Sequence, residues 1–304
     1  MMRPISFSKP LILIALLFLL SGVGCTAQAA PASSPPTFDT GIDPNAWVQV
    51  PAGEFLMGLH NHEVMVAHDY EIMVTHVTNT QFAAFLNEAL ADGSIKQTEA
   101  GVVGYYPGDP FDGYKHEEKI EAGDWLLFPV NHPDARIRQE NGAFVVLPGY
   151  ENHPATMMTW FGARAYCEYY GWRLPTEEEW EKAARGEDGR AYPWGDEIDE
   201  SNANYYKSHD PFERPNTPGD TTPVGFYNGK SYNGFQTMNS PSPYGLYDMA
   251  GNVWQWTSDD PPKTHLRYLK GGSFMDYAYN LRSWTRNSAS PEYFSIAVGF
   301  RCAR

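Results

Sequence analysis

Residues 245–256, GLYDMAGNVWQW, constrain this chain more than any other stretch. Polar and bulky apolar residues alternate across Val253, Trp254, Gln255 and Trp256, and the Ala250-Gly251 pair ahead of them supplies a turn. The pattern predicts a tight turn entering a short buried strand. Two indoles so close together need a large framework to cover them. Of the 304 residues, 42% are hydrophobic and 14% aromatic, which is enough for a core, but 27 Gly and 24 Pro interrupt long regular elements. The expectation is one irregular domain. Its formal net charge is -15 and no basic stripe interleaved with aromatics occurs, so nucleic acid is excluded as a partner.

The first residues read as an address. Arg3 and Lys9 form a positive start, residues 11–20 are an apolar run short for crossing a bilayer, and small residues follow, as in a secretory signal. Residues 1–25 are therefore expected to be a signal peptide of the lipoprotein kind, with Cys25 as the lipidated residue; ordinary cleavage after Ala27-Gln28-Ala29 is the alternative. Either route implies export, to the periplasm or cell surface as a lipoprotein or otherwise as a secreted protein, with membrane contact only through a lipid anchor. Residues 26–43, beginning TAQAAPASSPP, are small and Pro-rich and read as a flexible linker, leaving 44–304 as the folded domain. With Cys25 lipidated or removed, Cys167 and Cys302 remain in an oxidising compartment. One disulfide is the economical reading, and two buried free thiols the rival.

Within the domain, WVQVPAGEFLMG alternates around Pro51-Ala52-Gly53 and suggests a hairpin. Thr78 and Gln81 form a capping-box pattern ahead of Phe82, Phe85, Leu86 and Leu90 at helical spacing, with Gly93 as the stop. Residues 94–149 have no strong period and read as a loop-rich excursion carrying one hairpin. Thr159 can cap a helix over WFGARAYCEYYG that carries Cys167, and Thr176 with Glu179 caps a second over EEEWEKAARG. The acidic run 177–179 complements the positive helix N-terminus, which accounts for it without a catalytic carboxylate. Residues 186–244 are turn-dominated and hold no phosphate loop, nucleophile elbow or zinc helix. His60 and His62 form an H-x-H pair with no third ligand at a recognisable spacing.

The motifs PAGEFLMG, VTNTQFAAFL, AYC…GWRLPTEEEWEKAARG, YPWGDE, TTPVGF, GLYDMAGNVWQW, KGGSF, LRSWTRN and VGFRCAR occur in this order over residues 47–304. This series resembles the sulfatase-modifying-factor family, best known through formylglycine-generating enzyme. The resemblance implies an α+β fold: a single irregular formylglycine-generating-enzyme-like domain with a distorted C-type-lectin-like core. It also implies a disulfide between Cys167 and Cys302. A structural calcium is implied on the side chain of Asp248, the main-chain carbonyls of Gly251 and Val253, and the side chain of Gln255. Gln255 stands where the formylglycine enzymes carry Glu.

Those enzymes oxidise a substrate cysteine with copper held by two cysteines shortly after the GGS motif, a choice that fits the preference of Cu(I) for thiolates. In KGGSFMDYAYNLRSWTRN there is no cysteine, and Asp276 takes the first position. No copper and no formylglycine-generating activity are therefore expected. Two functions remain. The first is a calcium-stabilised binding or scaffold module for an unidentified protein or small molecule, with a groove around Trp254, Ser273, Asp276, Trp284 and Arg286. The second is an oxidoreductase using another metal, with Asp276 and nearby histidines as the place for it.

Overall fold

The structure, a computed structural model, describes residues 34–109, 119–213 and 219–304. The expected signal and Cys25 lie outside them. Within residues 34–43, expected to belong to the flexible linker, Phe38 is packed while Asp39, Gly41 and Asp43 are exposed. Phe38 sits 5.1 Å from the Tyr232 ring and 5.8 Å from those of Phe212 and Phe226, so this aromatic anchor ends the linker earlier than its composition suggested.

Strand β1 (Trp47–Val50) does not form the expected hairpin with β2 (Gly53–Met57). It pairs antiparallel with β4 (Tyr70–Met73), while β2 pairs with β3 (His62–Val66). Residues 51–53 are a link held from outside, because Lys182 Nζ donates to the carbonyls of Pro51 at 2.7 Å and Gly53 at 2.9 Å. Helix α1 (Asn79–Asp92) starts and stops as its capping pattern predicts. Thr78 and Gln81 close the reciprocal box, Gly93 takes φ 83°, and Phe82, Phe85, Leu86 and Ala89 face the core.

The excursion after α1 is more regular than its composition suggests. β5 (Ile95–Thr98), β6 (Gly101–Tyr106) and β7 (Gly123–Phe128) make a three-stranded antiparallel sheet, and β8 (Ile137–Glu140) pairs with β9 (Ala143–Val146). Gly104 is a packing residue here: a Cβ on it would come within 2.7 Å of Leu127 Cδ1.

Helices α2 (Trp160–Tyr169) and α3 (Glu177–Arg185) follow with Thr159 and Thr176 as N-caps, the latter in a full capping box with Glu179. A small hairpin of β10 (Ser231–Tyr232) and β11 (Phe235–Gln236) precedes a four-stranded sheet. This sheet is built from β12 (Trp254–Trp256), β13 (Arg267–Lys270), β14 (Arg286–Ala289) and β15 (Val298–Gly299) in the order β14-β13-β12-β15. β12 runs parallel to β15 and antiparallel to β13. The predicted turn and buried strand are both present, and Trp256 is fully buried.

One core gathers α1, α2 and the sheets beside them, with Phe82 flanked by Phe128, Tyr166 and Phe300. A second packs Trp180 and Ala183 of α3 against Val50, Phe55 and Ile72. Cys167 on α2 and Cys302 after β15 form a disulfide, with Sγ–Sγ 2.01 Å. No helix among the described residues is long and apolar enough to cross a membrane.

Candidate functional site

Gly271 and Gly272 leave β13 with φ of 93° and 71°, and the turn they make places Ser273 and Asp276 beside the end of β12. Asp276 Oδ2 accepts from Trp254 Nε1 at 2.8 Å, from the Ser273 N–H at 3.0 Å and from the Ser273 hydroxyl. Its Oδ1 accepts from Asn280 Nδ2 at 3.0 Å. Both oxygens are thus engaged by fixed donors, and the carboxylate serves as a latch between β12 and the loop.

Trp284 and Arg286, expected in the same groove, stand elsewhere. The antiparallel register of β14 sets Arg286 opposite Lys270, which points toward α3. There the two residues line a cavity of about 350 Å³ with Met57, Leu59, His62 and Glu177. Arg286 Nη1 lies 3.1 Å from Glu177 and its guanidinium covers the Tyr268 ring at 4.8 Å. Trp284 lies under the Arg185 guanidinium at 5.0 Å. The five residues therefore divide into a latch and a separate cavity.

Glu177 and Glu179 at the start of α3, and Glu181 one turn on, are paired with cations. Glu179 makes two bonds to Arg173, at 2.6 and 2.7 Å, and Glu181 receives the fully buried Lys270 at 2.9 Å and Arg185 at 3.0 Å. Helix-terminus complementarity is present, but partners distant in sequence do the rest. A further cavity of about 380 Å³ was not anticipated. Tyr106, Asp109, Trp160, Arg164, Arg173 and Arg267 line it, with Arg267 stacked on Trp160 at 4.4 Å and Arg164 on Tyr106 at 4.6 Å. Its residues come from three distant stretches, 106–109, 160–174 and 258–267, and no local motif announces it.

At the 248–255 turn, Asp248 and Asn252 adopt φ of 56° and 63°, and Gly251 takes 81°. A Cβ at Gly251 would come within 2.4 Å of the Asn204 carbonyl, so only glycine fits. Asp248 Oδ2 accepts from the Gly225 N–H at 2.7 Å. Gln255 Oε1 accepts from Trp180 Nε1 at 2.9 Å and from Arg301 Nε at 2.7 Å, while its Nε2 donates to the Asp248 carbonyl at 3.0 Å. Indole and guanidinium N–H groups can only donate, so the amide orientation is fixed.

Arg301 also donates to the carbonyls of Met73, Val74, Tyr247 and Asp248, at 2.8–3.2 Å. Burial lowers its pKa to about 9, with the Asp248 charge opposing, so it is a cation at neutral pH. His76 is fully buried, with Nδ1 3.9 Å from Asp248 Oδ2 and the Val253 carbonyl also facing the ring. Neither of its ring nitrogens has a hydrogen-bond partner. Calcium requires several oxygens converging on one point. Here Gln255 turns an N–H inward, a guanidinium is already bonded to its oxygen, and an imidazole stands beside Asp248 and Val253. This donor set does not fit calcium. His60 and His62 have ring centroids 6.1 Å apart, and among the described residues no group of three or more His, Cys, Asp or Glu could hold a metal.

Residues 33–304 match the sulfatase-modifying factor enzyme 1-like domain. The chain belongs to this family. Within it, the inactive C-alpha-formylglycine-generating enzyme 2 of Mus musculus is 35% identical over 282 residues, covering 85% of this chain and 85% of that protein. The formylglycine-generating enzyme of Bos taurus is 31% identical over 297 residues, covering 86% and 75%. The serine/threonine-protein kinase pkn1 of Chlamydia pneumoniae is 37% identical over 192 residues, which are 56% of this chain but only 27% of that relative. The structure of PvdO from Pseudomonas aeruginosa shares the fold, with a TM-score of 0.54, 22% identity and coverage of 85% and 93%. The α+β architecture expected of the family is therefore present.

Proposed function

We propose that this chain is an exported, non-catalytic member of the sulfatase-modifying factor family that binds a ligand rather than oxidising a cysteine. Asp276 carries the reading. It stands where the resemblance to formylglycine-generating enzyme places the first copper-binding cysteine, and both its oxygens are held by Trp254, Ser273 and Asn280. A hard carboxylate is a poor ligand for Cu(I), and this one is already bonded to the side chains of Trp254, Ser273 and Asn280. The relative named as inactive supports the reading through its similarity along most of the chain.

The ligand site assigned here is the cavity beside Trp284 and Arg286. Met57, Leu59 and Trp284 give it apolar walls, and the Arg286 side chain, 54% exposed, supplies a cation at its edge. With Glu177 paired to Arg286 and Glu181 also in the lining, the site suits a peptide or small molecule with an apolar group beside a polar one. Export rests on the signal-like residues 1–25.

The test is direct. The purified chain is loaded with Cu(I) and incubated with a cysteine-containing sulfatase peptide, with an active family member as control, and aldehyde is measured by mass spectrometry. No aldehyde above a copper-only blank is expected; conversion of the peptide overturns the proposal.

A further inference from the structure

We propose that the 248–255 turn of this chain is closed by its own side chains, Arg301 and His76, and binds no calcium. The inference stands or falls independently of the proposed function.

Three observations carry it. The first is the fixed orientation of Gln255. Two donor-only groups hold its oxygen, so the atom left to face the Asp248 carbonyl is an N–H, which repels a cation. The second is charge. Asp248 supplies one formal negative charge, Gln255 supplies none, and the fully buried Arg301 already donates to the Asp248 carbonyl at 3.2 Å. A divalent ion added here would share a water-poor space with that guanidinium, where like charges are poorly screened. The third is His76, whose ring occupies the neighbourhood of both the Asp248 carboxylate and the Val253 carbonyl, two of the oxygens a calcium ion would need. Imidazole nitrogen is a soft substitute for the hard oxygens that calcium selects.

The internal arrangement performs the task a metal would otherwise perform. Arg301 ties the turn to β4 through Met73, while Gln255 ties it to α3 through Trp180. The structure at the turn therefore persists whatever the calcium concentration outside the cell.

Chelator-treated full chain is titrated with calcium by calorimetry, alongside Asp248→Asn. The expected result is no calcium binding, or binding that Asp248→Asn leaves unchanged and that therefore lies elsewhere. Stoichiometric binding abolished by Asp248→Asn overturns the proposal. Because that variant can fail to fold, crystals of the unaltered chain grown in calcium supply a second readout. An anomalous peak among Asp248, Gly251 and Val253 overturns the proposal, and an empty turn with Gln255 Nε2 still on the Asp248 carbonyl upholds it.

Discussion

Position 276 shows how one side chain can hold a loop against a strand. Its carboxylate satisfies the Trp254 indole N–H and the Ser273 backbone N–H, both of which would lose their partner if it were removed. Leaving donors of this kind unpaired costs on the order of 1–3 kcal/mol. Asp276→Ala is accordingly expected to lower the folding free energy by about 1–3 kcal/mol, measured by urea denaturation. Asp276→Asn, which keeps one acceptor oxygen, should lose less. The identity of Asp276 and the missing cysteines were readable from the sequence. The sequence grouped Trp254 and Ser273 with it but not the bonds they make, because the Trp254 indole, 22 residues away, approaches it only in the folded chain. Arg286 and Trp284 face α3 instead, the first through the register of β14 against Lys270 and the second through the Arg185 guanidinium.

Among the elements, the three helices were legible because their caps are local chemistry. Thr78 with Gln81 and Thr176 with Glu179 write the N-termini into four residues each. The strands were less legible. Pro51-Ala52-Gly53 looked like a hairpin turn, but it is a link into β2 gripped by Lys182, and the loop-rich excursion holds strands in which Gly104 admits Leu127. The Cys167–Cys302 disulfide joins α2 to the segment after β15 across a sequence separation of 135. A bridge across so long a loop contributes about 2–5 kcal/mol. The paired Cys167→Ala and Cys302→Ala variant should therefore show a lower thermal midpoint than the oxidised chain, and reductant should lower the unaltered chain toward it. Equal midpoints in all three would refute the contribution.

At the scale of the whole molecule, buried titratable groups couple stability to pH. His153 is 1% exposed, with Nδ1 2.8 Å from Thr221 Oγ1, and burial with the Arg136 charge pushes its pKa well below 6.5. The unfolded chain takes up a proton near 6.5 and the folded chain resists it. His153 therefore favours the folded state fully above that value, and the advantage is lost as pH falls toward the lowered folded pKa. The urea midpoint should drop between about pH 7.5 and about pH 5.5. It should drop less in His153→Gln; an identical drop would assign the effect to other groups. Composition gave no warning of this, since a histidine in sequence carries no label for burial.

The segment 298–304 also has a consequence in time. Its backbone bonds reach back to residues 71, 73 and 173, with the Met73 N–H on the Cys302 carbonyl and Arg173 and Ala303 bonded reciprocally. Arg301, Cys302 and Ala303 are fully enclosed. A nascent polypeptide that has emerged only short of residue 298 lacks the clasp for its own earliest strands, however long it waits. Such a chain leaves the backbone groups of residues 71, 73 and 173 open until this late piece has been made.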